Sequence, residues 1–121
     1  MATATVKKNT EKDIAKATLR MYRQSPRKVR LVADAIRGKK VEEALTLLRF
    51  ADKRAALPVQ KLVVSALANA KDTGMKEEGL IVSKISVDEG KILYRRRARA
   101  RGSAAPIRKR TSHITVELSE K

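Results

Sequence analysis

The chain has 121 residues, with 29 Lys plus Arg against 13 Asp plus Glu, a formal charge of +16, and no cysteine. Disulfide scaffolds and thiolate metal sites are therefore excluded, and three aromatic residues, Tyr22, Phe50 and Tyr94, are too few for a platform that stacks bases on rings. An apolar content of 42% still supports one small core at this length.

In chain order, the N-terminal MATATVKKNTEKDIAK carries no apolar stretch of leader length, and no window reaches the ~18 apolar residues of a membrane span. A soluble intracellular protein is expected. Residues 15–23 alternate, with Ala15, Ala17, Leu19 and Met21 on one side, and read as a half-buried strand. Ser25-Pro26 then supplies a hydroxyl cap and a proline at the first helical position. A helix follows to about Arg37, with Val29, Val32, Ala33 and Ile36 on its apolar stripe and Gly38 as a left-handed stop. A second helix is predicted at about 41–49 from Val41, Ala44, Leu45 and Leu48. A third, capped by Asp52, is predicted over about 53–72, with a bend where Pro58 would remove a helical hydrogen bond.

From Leu80 the period becomes two, with Ile81, Ile85 and Val87 on one face. Beyond Gly90 it resumes at Ile92 and Tyr94 with the side shifted, the pattern of a bulge or twist. Alternation returns in Ile114, Val116 and Leu118 after the segment ARGSAAP, so the two strands form a β-hairpin turning near 99–105. The expected class is α+β: a small three-stranded antiparallel sheet packed with three helices, plus a long protruding β-hairpin. The chain forms one unit, its globular part about 15–90 and 111–119 and its arm about 84–116. An arm of ~17 residues at ~3.3 Å each spans ~55 Å, more than the ~30 Å breadth of a globule made from the rest. Its tip must project, and a distal ribbon without an apolar face is expected to be mobile until a partner orders it.

Charge follows the same division. Residues 1–40 carry net +9, residues 41–89 net −1 and residues 90–121 net +8. Between Gly90 and Val116 there is no acidic residue, against Lys91, Arg95, Arg96, Arg97, Arg99, Arg101, Arg108, Lys109 and Arg110. Solubility alone asks for a net charge of only ~2 to 8 in a small domain. A one-sign run this dense calls for a polyanion, and the prevalence of Arg favours bidentate phosphate contacts. Nucleic acid fits better than a membrane surface, because the run has no bulky apolar face to insert.

Catalysis has no candidate constellation. His113 is the only histidine, and its neighbour Ser112 points to the opposite face of a strand. Asp88 and Glu89 are expected to pair with Arg or Lys at the hairpin base; a magnesium ion shared with phosphate is the alternative reading. No metal site or cofactor is assigned.

The run SPRKVRLVADAIRGKKVEEAL at 25–45, SALANA at 65–70, VDEG at 87–90 and KRTSHITV at 109–116 strongly resemble the bacterial form of the ribosomal protein L-twenty-two family. The likeness is collinear over nearly the whole chain. It implies a structural, non-enzymatic component of the large subunit in the cytoplasmic ribosome, whose globule sits on the subunit surface. The resemblance further implies an arm driven through the rRNA to line the polypeptide exit tunnel, aiding assembly, with its tip near the constriction where macrolides bind. Partners implied are large-subunit rRNA, neighbouring large-subunit ribosomal proteins and the nascent polypeptide, with no membrane. Carried over by position, rRNA contacts fall on Arg23, Ser25, Arg27, Lys28, Arg30, Lys91, Arg95, Arg96, Arg97, Arg99, Arg101, Arg108, Lys109, Arg110, Thr111 and His113. The tunnel-proximal tip would be Arg101, Gly102, Ser103, Ala104, Ala105 and Pro106. A free-standing DNA-compacting protein is the second reading, since charge alone does not separate the two nucleic acids.

Overall fold

The computed structural model describes residues 14–121; the reading of the N-terminal stretch falls largely on residues outside these. The elements run β1 (Ile14–Tyr22), α1 (Pro26–Ile36), α2 (Val41–Phe50), α3 (Ala56–Asp72), β2 (Leu80–Glu89), β3 (Leu93–Ala98), β4 (Ala104–Lys109) and β5 (Ser112–Glu120). β1, β5 and β2 form an antiparallel sheet with β5 in the centre, while β3 and β4 form a separate two-stranded ribbon. The expected α+β class, a three-stranded sheet with three helices and a hairpin, is the one observed.

All three helices pack on one face of the sheet. Along β5 the period-two pattern buries Ile114, Val116 and Leu118, which meet Val29, Ile36, Val59 and Val63 of the helices in one continuous core. Burying each such side chain stabilises the fold by ~1.5 to 3 kcal/mol. β1 contributes the half-buried Leu19 opposite Ile114 and the alanines Ala15 and Ala17 opposite Leu118 and Val116. Such small side chains let α3 approach closely enough for Asn69 Nδ2 to donate to the Lys16 carbonyl at 2.9 Å.

Five local expectations are corrected. Met21 does not continue the inward side of β1: the register shifts between Leu19 and Tyr22, Met21 takes φ +56°, and Tyr22 packs against the core in its place. In β2 the inward set is Leu80, Val82, Ile85 and Val87, with Ile81 turned to the other face. A second irregularity between Val82 and Lys84 reverses the phase, and Ser83 there donates its hydroxyl to the Glu117 carbonyl at 2.9 Å. Asp52 does not cap α3, which begins at Ala56 after a turn closed by the Ala56 N–H on the Lys53 carbonyl. Pro58 therefore lies in the first helical turn, where its missing N–H breaks no bond, and the anticipated bend has no cause. The Ser25 side chain makes no capping bond to α1; its backbone carbonyl accepts from Lys28 and Val29 instead. Beyond α1, Arg37 is extended and Gly38 has φ +76°. With the Lys39 N–H on the Ile36 carbonyl, these residues make a type II turn, which needs positive φ at its third residue.

β2 is an edge strand, and α1 covers that edge. Arg30 donates through Nε and Nη2 to the Val87 carbonyl at 3.3 and 3.1 Å, and Arg37 Nη2 donates to the Ile85 carbonyl at 3.1 Å. Gly38 and Lys39 exchange backbone bonds with Val82. Carbonyls and N–H groups that would otherwise template another strand are thereby occupied.

The arm leaves the globule later than the alternation suggested. Residues 84–89 and 112–116 stay in the three-stranded sheet, with Ile85, Val87, Ile114 and Val116 buried. The free ribbon starts at Gly90 and Thr111, so ~10 residues per side project ~33 Å rather than ~55 Å.

Candidate nucleic-acid interface

The ribbon is paired from Leu93 with Lys109 to Ala98 with Ala104. A turn over 99–103 closes it, with the Arg99 N–H on the Ser103 carbonyl at 2.8 Å. Ala104, Ala105 and Pro106, expected in the tip, therefore lie in β4. Since Arg99 and Ser103 are hydrogen-bonded partners, the alternation of antiparallel pairs puts Pro106, opposite Arg96, at a non-bonded position. A residue without an N–H is accommodated there at no loss to the ladder. Arg101 and Gly102 both have positive φ, +58° and +69°. Glycine adopts this freely, whereas the arginine holds it at a cost of ~1 to 2 kcal/mol.

Lys91, Arg95, Arg96, Arg97, Arg99, Arg101, Arg108 and Lys109 are all exposed, and Arg110 is half-buried. Among the described residues the ion pairs are Lys16 with Glu117, Arg37 with Asp34 and Lys71 with Glu77; none draws on the arm. Asp88 and Glu89 stand exposed at its base and form no ion pair with an arm residue. Neighbours along a strand, they point to opposite faces, and the expected pairing with Arg or Lys is not made among the described residues.

The junction is built around one close approach. Gly90 donates its N–H to the Thr111 carbonyl at 2.9 Å, and a Cβ on Gly90 would stand 2.4 Å from Thr111 Oγ1 and 3.2 Å from His113 Nε2. Thr111 is 1% exposed and its hydroxyl donates to the Lys91 carbonyl at 2.7 Å. It thus offers no surface to a ligand and fastens the arm instead. His113 Nδ1 accepts the Met21 N–H at 3.1 Å, so its ring joins the β1 bulge to the arm base. Ser112 and His113 face away from each other, as expected from the strand, and Ser112 is fully buried.

Beside the junction a cleft of about 710 Å³ opens between the start of α1 and the end of β4. Its charged lining is Arg23, Lys28, Arg54, Arg108, Lys109 and Arg110, with Gln24 and Ser25 between them and no carboxylate among the described residues. The fold thus brings together Arg23, Ser25 and Lys28 with the last basic residues of the arm. Arg27 is exposed on α1 but does not line the cleft, and Arg30 is turned onto the Val87 carbonyl. Arg54 carries no site signal in the sequence. It sits in a stretch that reads as ordinary helix, and only the late start of α3 places it in the connecting loop.

Together these elements define a small α+β protein with a cationic, carboxylate-free ribbon hinged on a conventional core. Residues 17–119 match the family described as Ribosomal protein L22p/L17e. The curated relative Large ribosomal subunit protein uL22 of Syntrophotalea carbinolica is 56% identical over 108 residues, covering 88% of this chain and 98% of the relative. The chain belongs to this family of large-subunit ribosomal proteins.

Proposed function

We propose that this protein is a non-catalytic rRNA-binding component of the large subunit in the cytoplasmic ribosome. Its globule seats on the subunit surface beside neighbouring ribosomal proteins, and its arm enters the folded rRNA. The whole chain acts as one ribosomal-protein unit. The ribbon lines the polypeptide exit tunnel and supports assembly, with the turn at 99–103 closest to the constriction and to the nascent polypeptide. The observation that carries this reading is the arm itself: no side chain between Val87 and Thr111 is buried, and its basic residues have no acidic partner among the described residues.

Phosphate contacts position such a ribbon, and the shape of the folded RNA supplies specificity, since few stacking or base-reading side chains are present. Each arginine that displaces counterions from a phosphate steepens the salt dependence of binding. Neutralising Arg95, Arg96, Arg97, Arg99 and Arg101 to Gln should flatten the log–log salt slope by ~3.5 to 4.5, at ~0.7 to 0.9 per lost contact. The same variant should fold normally and fail to enter large subunits in sucrose gradients. Full incorporation with an unchanged salt slope would reject the reading.

A further inference from the structure

The two edges of the three-stranded sheet are finished differently. β2 spends its outward groups on Arg30, Arg37 and the Gly38–Lys39 turn, whereas β1 is left almost bare. Glu117 turns its carbonyl toward β2, where the Ser83 hydroxyl reaches it. Its pair with Lys16 is therefore a non-bonded one, and Ile14, Lys16 and Thr18 direct their N–H and C=O groups away from β5. Among the described residues only the Lys16 carbonyl in this set finds a partner, the Asn69 amide of α3 at 2.9 Å. Thr18 keeps a donor and an acceptor open, the template on which another strand pairs.

A groove of about 440 Å³ runs beside this edge, walled by Leu19 and Tyr22 on the strand and by Leu57, Pro58 and Leu62 on α3. Leu57 is 58% exposed there, a large apolar side chain left facing solvent. A strand laid along β1 would send every second side chain into the groove and the others over the open face of the sheet, beside Lys16 and Arg20. Apart from the long contact of Lys16 with Glu117 at 4.0 Å, the charge around this surface has one sign. β1 carries Lys16 and Arg20 and no carboxylate, and α3 carries Lys61 on the groove and no carboxylate before Asp72.

We infer that the β1 edge and its groove dock an extended segment of another protein, added to the sheet as a fourth strand, with apolar side chains at alternate positions for the groove and acidic ones between them. In this mode backbone hydrogen bonds supply affinity and the groove supplies specificity. A second copy of this chain is a poor occupant: β1 paired on β1 about Thr18 sets Lys16 of each copy opposite Arg20 of the other, and like charges directly opposite destabilise a sheet. An RNA strand suits the edge no better, because open carbonyls repel phosphate and the groove beside them is apolar. The inference goes beyond the rRNA-binding reading and does not rest on it, since neither the arm nor its cations take part.

The full-length chain is titrated with the capped peptide Glu-Val-Glu-Leu-Glu-Val-Glu and with a peptide of the same composition whose alternation is scrambled, and followed by amide NMR and hydrogen exchange. The Thr18 amide should exchange quickly in the free chain and slow when the alternating peptide binds, with shifts along 14–20 and 57–65 and none at 95–101. The scrambled peptide, equal in charge, should give no such protection. Leu57→Gln and Lys61→Glu, both at exposed positions, should each weaken the alternating peptide about tenfold, one through a lost apolar contact and the other through a like charge, with the melting temperature unchanged. Leu57→Gln should bind large-subunit rRNA as the parent does. A Thr18 amide already protected in the free chain would mean that the edge is occupied, and would overturn the inference. So would equal binding of the scrambled peptide, shifts centred on the arm, or no shift at ~1 mM peptide, the weak end of the affinity scale. Loss of rRNA binding in Leu57→Gln with parental affinity for the peptide would assign the surface to RNA instead.

Discussion

The globule and the arm are built from the same two strand segments of chain, yet they obey different physics. Up to Val87 and again from Thr111, alternate side chains are buried; between those two residues none is. The hydrogen-bond ladder continues in the arm from Leu93 with Lys109 to Ala98 with Ala104, but it continues without a core beneath it. Net backbone hydrogen bonding adds only ~0.5 to 1.5 kcal/mol per bond, and an isolated two-stranded ribbon is marginal in water. The comparison teaches that pairing and stability are separable along one strand pair: the globule holds the base of the arm, while the distal ribbon has a ladder but no core beneath it.

The largest expected effect contrasts one substitution made in both regions. Ile114→Ala opens a cavity at the centre of β5, where the side chain is fully buried, and should cost ~2 to 5 kcal/mol in a urea or thermal unfolding curve. Ile107→Ala in the ribbon, where the side chain is half-buried, should stay within ~0.5 kcal/mol. Equal losses at the two positions would mean that the arm shares the core's cooperative unit.

A smaller effect is expected at the boundary itself. Gly90→Ala forces a methyl to within 2.4 Å of Thr111 Oγ1 and should destabilise by ~1 to 3 kcal/mol, the range for overpacking. Thr111→Ala alone removes the hydroxyl bonded to the Lys91 carbonyl, at ~1 kcal/mol. The double variant should be more stable than the sum of the two losses, because the second substitution removes the atom the first one strikes. Strict additivity in the cycle would show that Gly90 is not held by that contact.

Much of this division was legible in the linear sequence. Helical spacing gave α1 and α2 nearly to the residue, and the alternation of Ile114, Val116 and Leu118 gave β5. The acid-free stretch after Gly90 located the arm. What stayed hidden depends on events of one residue or on distant partners. The irregularities at Met21 and Ser83 each reverse a strand's phase without any mark in composition, so alternation alone puts Met21 and Ile81 on the wrong face. Pro58 fits a kinked helix interior and a first turn equally well until the start of α3 is known. The direction of a basic side chain on α1 follows from helical spacing, but the acceptor it meets does not. Sequence alone does not separate Arg30 from Lys28, although one reaches a β2 carbonyl and the other a cationic cleft.

That last distinction yields the smallest effect and the sharpest reversal. Arg30→Gln and Arg96→Gln remove the same charge, one from the edge cover of β2 and one from the ribbon. Arg30 makes two hydrogen bonds to the Val87 carbonyl in a partly solvated setting, so its loss should cost ~1 kcal/mol of stability. The salt slope of rRNA binding should stay where it was, since the guanidinium is already engaged within the chain. Arg96 is exposed, opposite Pro106, and its substitution should leave the unfolding midpoint unchanged while flattening the salt slope by ~0.7 to 0.9. Unfolding curves and salt titrations of the two variants check both halves. A fall in salt slope for Arg30→Gln equal to that for Arg96→Gln would place Arg30 on the RNA side after all, and the edge of β2 would then need another cover.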